Sequence, residues 1–253
     1  MAEPVRYHLE DGVAWLVLDR PEARNAINRA VGAGLWDGFR RFEADPAAKV
    51  AVLTGAGEAF CAGADLKEMA ALRMTVPPRD WVPHLGRNLQ VTKPVIAAVN
   101  GVAVGGGFLL AQMCDLCVAA EGARFGITEA RWGRGAPWAA PLPWLVPPRV
   151  ALELLLTGEP IDARRAHEVG LVNRVVPDAA LRQEAGRLAA TVAANAPLSV
   201  RAAKAMVHAA AGRDLDQAVE EGWRLFEPVY LSEDAQEGPR AFLEKRPPVW
   251  KGR

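Results

Sequence analysis

The sequence predicts an α/β fold with two regions, a β/α core over residues 1–180 and a helical region over residues 181–253. In the first region, short apolar runs of strand length alternate with segments whose apolar residues recur at helical spacing. This alternation is typical of parallel strands joined by helices. After about residue 149 helical segments dominate, and one short apolar run, 171–176, interrupts them.

Four apolar runs predict the strands of the core. They are Val13–Leu18, Val50–Leu53, Pro94–Val99 and Leu116–Ala119. Each run is short and apolar throughout, a pattern typical of buried strands rather than of strands with one exposed face. We therefore expect these four segments to form the centre of the sheet.

Two helices are predicted between these strands. The first covers residues 28–43, in which Val31, Leu35 and Phe39 fall at helical spacing. Asp65 is expected to begin the second, because Glu68 three residues later completes the pattern of a capping box.

The connecting segments are predicted from their small residues and prolines. Residues 56–64 are expected to form a loop of small residues, and the Pro-rich segment 74–83 is expected to be irregular. The run Gly105–Gly107 is expected to open a helical apolar segment over residues 108–113.

The second half of the chain is predicted to be largely helical. Helical segments are expected at roughly 149–156, 162–168, 178–194, 197–210, 214–226 and 232–245. The apolar run 171–176 is expected to be a strand.

Composition limits the classes of function. The chain has 253 residues, with 30 basic and 30 acidic side chains and no basic run, which argues against a nucleic-acid partner. No stretch of apolar residues is long enough to span a membrane, and the first residues lack the pattern of a secretory signal. With an odd count of three cysteines, we expect a reducing, cytoplasmic location.

Common cofactor and metal motifs are missing. Gly55-Ala56-Gly57 follows a predicted strand, but Phe60 stands where a dinucleotide-binding turn has its third glycine. No P-loop and no Gly-x-Ser-x-Gly motif occurs, and the four histidines are scattered. Cys114 and Cys117 form a C-x-x-C with no further ligands nearby, so we expect buried thiols, no metal site and no resident cofactor.

Two loops of glycine and alanine are the candidates for a functional site. One is Phe60–Leu66 and the other is Asn100–Gly107; each follows a strand and opens a helix. The first N–H groups of a helix lack partners within the helix, and small residues let a ligand approach them closely. Two such loops aimed at one oxygen would form an oxyanion hole. Alternatively, the glycines only permit tight strand-to-helix turns.

Motifs along nearly the whole chain resemble those of one family. The segments are 20–28, 60–66, 100–107, 113–116, 125–129, 166–176 and 232–246. In their order and spacing they resemble the crotonase (enoyl-CoA hydratase/isomerase) superfamily. The resemblance implies a spiral of strand–strand–helix units and a C-terminal helical region that forms a trimer or a dimer of trimers. It also implies an acyl-CoA thioester as substrate, with coenzyme A as part of that substrate.

The resemblance implies roles for individual residues. The backbone N–H groups of Ala64 and Gly106 would bind the thioester oxygen. The residues that would line the bent CoA are Ala23, Arg24, Ala62, Asp65 and Leu66, with Lys67 near its phosphates. Phe226 and Lys245 would reach a CoA or acyl pocket from the helical region, in some members across a subunit boundary. Asp65 also has an independent interpretation as a helix cap.

The expected chemistry passes through an enolate. Removing the α-proton of a thioester leaves negative charge on oxygen, which two N–H donors would stabilise. A carboxylate must move the proton or activate water, and Glu129 is the candidate. Without the resemblance, Glu129 is equally well a surface residue that pairs with Arg124 or Arg131.

The sequence departs from the family pattern at two places. Typical hydratases carry a second glutamate where this chain has Leu109, whose side chain would then lie over the oxyanion hole. After Glu129, the usual Gly-rich continuation is replaced by a segment with Trp132 and Trp138. These tryptophans are candidates to shape an acyl pocket, and Trp132 in particular to contact substrate; alternatively they are core or surface anchors.

Three functions therefore stay open. The first is a hydratase-type lyase that acts on a 2-enoyl-CoA, which the overall resemblance favours. The second is a single-glutamate isomerase, decarboxylase or hydrolase on the same platform, which Leu109 favours. The third is an acyl-CoA-binding protein without turnover.

Overall fold

The computed structural model describes residues 3–253, and it confirms the α/β fold. The strands of these residues are β1 Val5–Glu10, β2 Val13–Leu18, β3 Val50–Gly55, β4 Ala59–Cys61, β5 Val95–Val99, β6 Val102–Val104, β7 Leu116–Ala120, β8 Arg124–Gly126, β9 Ile161–Asp162 and β10 Arg174–Val176. The helices are α1 Arg29–Ala44, α2 Leu66–Ala71, α3 Gly106–Gln112, α4 Pro148–Thr157, α5 Ala163–Glu168, α6 Leu181–Ala193, α7 Pro197–Ala210, α8 Leu215–Tyr230 and α9 Glu233–Leu243.

The larger of two sheets has the strand order β1-β2-β3-β5-β7-β10. The four predicted strands are its central strands β2, β3, β5 and β7, all parallel to one another. One face packs on the main core with α1 and α3, and the other face packs on α6. Because both faces are covered, the strands are apolar throughout, which is why the sequence predicts them well.

The edge strand β1 is missed by the sequence patterns. It pairs antiparallel with β2, and most of its side chains after Val5 are exposed or half-exposed, so it carries no continuous apolar run. The turn between the two strands is Asp11-Gly12, with φ of 49° and 80°. An Asp-Gly pair in which both residues have positive φ is typical of the tight turns that connect antiparallel strands in hairpins.

The smaller sheet is also missed, and it matters most for the site. Its order is β4-β6-β8-β9, and β4, β6 and β8 are parallel strands of three residues each. The expectation of a continuous loop over residues 56–64 is therefore wrong, since β4 lies within it; strands this short show no periodicity. The carboxyl ends of β4, β6 and β8 lie side by side, so the loops that follow them meet at one edge.

Helix α1 confirms the prediction over residues 28–43, with Asn28 as its cap, accepting from Val31 N. Asp65 caps α2 as predicted, accepting from the N–H groups of Lys67 and Glu68. The reciprocal half of the capping box is wrong: the Asp65 N–H donates to Ile27 O, and the Glu68 carboxylate accepts from the N–H of Arg29 instead. Glu68 therefore joins the N-termini of α1 and α2.

The helical region begins with a helix of the core. Although residues 181–253 are predicted as one region, α6 packs its apolar side on the larger sheet. The remaining helices α7, α8 and α9 pack on one another, and α7 is tied to the core by Asp115, which accepts from Lys204 at 2.8 Å and His208 at 3.1 Å. No helix within residues 3–253 is both long and apolar enough to cross a membrane.

Helix α3 lies close to strand β4, and a substitution at Gly107 tests this packing. A Cβ built on Gly107 would overlap the carbonyl oxygen of Cys61, so a side chain at this position would force the two segments apart. Gly107→Ala should lower the free energy of unfolding by roughly 1–3 kcal/mol or more. Gly135→Ala is the control, because the nearest atom to its Cβ would be 3.8 Å away. Denaturant unfolding of both variants would measure the difference, and equal stabilities would contradict the packing argument.

Candidate active site

The site lies where three loops leave the smaller sheet. Ala64 follows β4, Gly106 follows β6 and Glu129 follows β8. Because these strands are adjacent and parallel, their carboxyl ends converge, the position at which α/β proteins commonly bind ligands. The structure therefore brings together the three residues expected to carry the chemistry.

The Ala64 N–H is left free by the pairing of its own segment. Ile27 N donates to Gly63 O at 2.8 Å, and Asp65 N donates to Ile27 O at 2.9 Å. In such a parallel bridge the residue between the two bonded ones, here Ala64, directs its own N–H and C=O groups away from Ile27. Within residues 3–253 the Ala64 N–H has no hydrogen-bond acceptor.

The Gly106 N–H lies beside it. Gly106 is the first residue of α3, and its N–H also has no acceptor among the described residues. A Cβ built on Gly106 would lie 3.7 Å from Ala64 N, and one built on Gly63 would lie 3.5 Å from Gly106 N. Two unpaired donors thus stand on neighbouring backbones, as the oxyanion-hole interpretation requires.

The Glu129 carboxylate lies close to the loop that carries Gly106, and one of its oxygens is buried. It opens a 3₁₀ turn, Glu129–Trp132, and a Cβ built on Gly105 would lie 3.2 Å from its Oε1. Its Oε2 is buried and has no hydrogen-bond partner within residues 3–253. Burial raises the pKa of Glu129, and a hydrogen bond from its own N–H offsets this only in part.

The alternative interpretation of Glu129 as a surface ion-pair partner is wrong. Arg124 lies 3.7 Å from Asp162, and Arg131 lies 3.5 Å from Glu159. Both guanidinium groups therefore have other partners. An unpaired, buried carboxylate is an unfavourable arrangement for stability and is characteristic of functional sites.

Asp65 shows the opposite environment. Its Oδ1 accepts from the N–H groups of Lys67 and Glu68, and its Oδ2 accepts from Arg20 at 3.2 Å. Burial acts to raise the pKa of Asp65, but the hydrogen bonds and the Arg20 charge outweigh it and hold the pKa below its ordinary value. Asp65 is therefore an ionised cap, and no lone oxygen is left for proton transfer.

The residues expected to line CoA lie along one surface next to Ala64. Ala62 N donates to Arg24 O at 3.0 Å, so the segment around Ala23 and Arg24 runs beside the loop that follows β4. Leu66 and Lys67 are exposed at the start of α2. Their predicted contacts with CoA stay predictions.

Phe226 and Lys245 lie on the outer helices. Phe226 packs on Tyr230 of the same helix, with ring centroids 6.4 Å apart, and Lys245 is exposed just after α9. No hydrogen bond or ion pair joins either residue to the three loops within residues 3–253. Their predicted role across a subunit boundary stays a prediction.

Leu109 and the two tryptophans have different surroundings. Leu109 is 4% exposed and belongs to the main core cluster, so α3 carries no second carboxylate. Trp138 packs on Phe108, with ring centroids 6.1 Å apart, which makes it a core anchor. Trp132 is 63% exposed on the same 3₁₀ turn as Glu129, where side chains three residues apart point to one side.

Three residues that position the loops were not assigned a role by the sequence patterns. Asn25, fully buried with φ of 56°, donates to Ala56 O and Ala59 O. Arg20 bonds Ala26 O as well as Asp65. Arg134 donates to the carbonyls of residues 74 and 75 and so ties the Pro-rich segment to the Glu129 turn. Their partners are distant in sequence, so no local pattern marks these contacts.

Comparison with known proteins finds matches along nearly the whole chain. Residues 8–253 match the family model described as enoyl-CoA hydratase/isomerase. The chain is 41% identical to carnitinyl-CoA dehydratase of Citrobacter koseri, with both chains covered in full. A probable enoyl-CoA hydratase/isomerase from Mycobacterium abscessus has 40% identity and a TM-score of 0.91, again over both full chains. An enoyl-CoA hydratase from Mycobacterium marinum has 38% identity and a TM-score of 0.92 over both full chains.

Burial of Glu129 predicts a pH-dependent cost to folding. Its pKa in the folded chain lies above the ordinary value of about 4.3, so stability falls as the pH rises from that value through the folded pKa. Glu129→Gln removes the charge, and the variant should melt above the wild type near pH 8, with the difference vanishing below about pH 4.

The control for this experiment is Glu220→Gln, because Glu220 is exposed on α8. Thermal melts of the three proteins across this pH range would measure the effect. A Glu129→Gln variant less stable than the wild type near pH 8 would contradict the proposed burial of a free carboxylate.

Proposed function

The chain belongs to the enoyl-CoA hydratase/isomerase family, and we propose that it polarises an acyl-CoA carbonyl with the N–H groups of Ala64 and Gly106 while Glu129 moves the α-proton. The observation that carries the proposal is the pair of unpaired N–H groups on neighbouring backbones, close to a half-buried carboxylate whose Oε2 is buried without a partner. The chain is an enzyme of the hydratase/dehydratase lyase type.

The two donors supply electrostatic stabilisation. As the α-proton leaves, charge grows on the thioester oxygen, and donors already in place need no reorganisation. Loss of one such donor typically lowers the rate by roughly 10²–10³-fold. Glycine at residues 63 and 106 lets the two backbones approach closely, which supports the proposal that both donors reach one oxygen.

Glu129 supplies the base. Its raised pKa makes it a stronger base than an exposed carboxylate, and the absence of an ion-pair partner leaves it free to accept a proton. General acid–base catalysis of this kind raises the reaction rate by a factor on the order of 10²–10⁴. When the protonated carboxyl group of Glu129 returns the proton to carbon, the negative charge moves from the enolate oxygen back to the carboxylate.

We propose that the substrate is a CoA thioester and that it contacts the loop that follows β4 and the segment around Arg24. Lys67, exposed at the start of α2, is placed to meet a phosphate group. One relative is named carnitinyl-CoA dehydratase and a structural neighbour is named enoyl-CoA hydratase. Hydration and dehydration are two directions of one reaction. The proposed substrate and product are therefore a 2-enoyl-CoA and the corresponding 3-hydroxyacyl-CoA, in either direction.

Leu109 favours a second candidate, double-bond isomerisation. An isomerase needs one base to carry a proton from one carbon to another, whereas hydration also needs water to be held and deprotonated. Asp65 is the other carboxylate on the three loops, and both of its oxygens are engaged. A single free carboxylate, together with leucine in place of a second one at residue 109, suits the isomerase.

The proposal is tested by incubating the protein with a panel of saturated, 2-enoyl-, 3-enoyl- and 3-hydroxyacyl-CoA esters and analysing the products by mass spectrometry and chromatography. Gain or loss of 18 mass units indicates hydration or dehydration, and an unchanged mass with a new retention time indicates isomerisation. Glu129→Gln should lower either turnover by roughly 10²-fold or more. Binding without any turnover would contradict the proposed roles of the two donors and Glu129, and no binding of any ester would contradict the proposed substrate class.

The identity of residue 109 should set the balance between the two reactions. We expect the wild type to hydrate crotonyl-CoA roughly 10²-fold or more below a hydratase with two carboxylates, because general acid–base help is missing. Leu109→Glu should raise hydration, and Leu109→Gln is the matched control of similar shape without the charge. Steady-state hydration rates would decide. A wild-type rate typical of hydratases would show that another group supplies the missing function.

We also propose that the chain assembles as a trimer or a dimer of trimers through its outer helices. Large apolar side chains stand exposed there, far more than a solvated surface needs. They are Val207, Leu215, Val219, Trp223, Tyr230, Leu231, Phe242 and Leu243. In such an assembly Phe226 and Lys245 could meet a neighbouring site, as the family resemblance implies. The three cysteines are free thiols, which suits the proposed cytoplasmic location.

Light scattering at micromolar concentration should therefore report three or six times the chain mass of 27.2 kDa. Phe242→Asp should weaken the assembly, because it would place a charge in the buried interface. Val76→Asp is the matched control: Val76 is 83% exposed and Phe242 is 82% exposed, but Val76 lies in the Pro-rich segment. A monomeric wild type would overturn the proposal, and equal effects of the two variants would place the interface elsewhere.

A further inference from the structure

We infer that Ile27 is the positioning residue of the oxyanion hole, fixing the Ala64 N–H with its main chain and the Gly106 N–H with its side chain. The inference rests on the proposed function, since it concerns donors that act on a thioester oxygen. Ile27 touches neither the reacting atoms nor Glu129 through any hydrogen bond. Its effect would be exerted entirely through the two donors.

The main chain of Ile27 determines where the Ala64 N–H points. Its N–H donates to Gly63 O at 2.8 Å and its carbonyl accepts from Asp65 N at 2.9 Å. These two bonds bracket Ala64 on both sides. A rotation of the Ala64 peptide toward any other direction would break one of them, so the free N–H is held in one orientation.

The side chain of Ile27 contacts the second donor residue. A Cβ built on Gly106 would lie 2.9 Å from Ile27 Cδ1, so this terminal methyl occupies the space that a side chain at residue 106 would need. Ile27 is 2% exposed, so its side chain lies within packed surroundings. The methyl group therefore rests directly against the backbone that carries the Gly106 N–H.

The start of α3 needs such a contact. Its cap residue, Gly105, has no side chain to bond the first turn, and its φ is 55° with ψ of −122°. The next residue, Gly107, packs on Cys61. The first turn of α3 is thus in contact with the Cys61 backbone at Gly107 and with the Ile27 methyl group at Gly106.

Ile27 is itself held in place. The preceding residues are anchored by the buried amide of Asn25, which donates at 2.9 Å to Ala56 O and 2.7 Å to Ala59 O. Arg20 donates to Ala26 O at 2.8 Å. A side chain on such a fixed segment can transmit a defined position to both donors.

Ile27→Val tests the side chain alone, because it removes Cδ1 and leaves the main-chain bonds to Gly63 and Asp65. Oxyanion donors act within a few tenths of an ångström, and a misplacement of about 1 Å can lower a rate by roughly 10²-fold. We expect kcat to fall roughly tenfold with little change in KM. The matched control is Ile96→Val, an equally buried isoleucine on the other face of the larger sheet.

A spectroscopic readout separates positioning from stability. The carbonyl stretching frequency of an isotopically labelled saturated acyl-CoA, which has no double bond to hydrate or isomerise, reports how strongly the donors polarise the bound thioester. We expect the shift on binding to shrink in Ile27→Val and to be unchanged in Ile96→Val, even if both variants lose similar stability. A shift and a kcat in Ile27→Val equal to those of Ile96→Val would overturn the role of Ile27.

The same measurement on the wild type shows whether a negative result concerns only Ile27 or the proposed oxyanion hole itself. If bound wild-type protein shifts the carbonyl frequency and Ile27→Val shifts it equally, the oxyanion hole stands and Ile27 does not position it. If the wild type binds the ester with no shift, the oxyanion hole itself is refuted and the inference about Ile27 falls with it.

Discussion

Parallel alignment of β4, β6 and β8 is the constraint on which the site depends. Each strand has three residues, yet each ends in a loop that carries one functional group. Hydrogen bonds between the strands fix the separation of the loops at about the spacing of neighbouring strands, roughly 4.8 Å. This spacing would let two N–H groups from adjacent loops reach one oxygen without any long side chain. In the proposed mechanism the backbone stabilises the oxygen, and the Glu129 side chain moves the proton.

Glycine makes this closeness possible at two positions. Side chains on Gly101 or Gly107 would overlap carbonyl oxygens of the segment that contains β4. Gly105 additionally has a positive φ, which a residue with a side chain rarely adopts. These glycines were visible in the sequence as loops, but their role as contact points between strands of the smaller sheet was not. The partners, Glu58 and Cys61, lie more than 40 residues away.

Much of the larger sheet could be predicted from the sequence, because burial on both faces produces unbroken apolar runs such as Val13–Leu18. The smaller sheet could not, since three residues are too few to show a period, and β1 could not because its side chains face solvent. At the site, the motifs identified Ala64, Gly106 and Glu129, and the structure brings them together. The contacts of Ile27 with both donor residues depend on tertiary packing, which no local pattern encodes.

The two carboxylates near the site illustrate how environment assigns roles. Asp65 meets Arg20 and two backbone N–H groups, so its charge is satisfied and its proton affinity is low. Glu129 meets neither cation nor donor at Oε2, so burial raises its proton affinity. A base of this kind is well matched to carbon acids, because accepting a proton relieves the unfavourable burial of its charge.

Leu109 extends this reasoning to the choice of reaction. A second carboxylate on α3 near Glu129 would raise the pKa of Glu129 further by repulsion. With leucine at residue 109, desolvation alone raises this pKa. A single base can shuttle a proton between two carbons of a bound acyl chain without any other group. Water addition in the same pocket would require the backbone or Glu129 itself to orient the nucleophile, so the residue at position 109 bears on which of the two reactions the shared enolate follows.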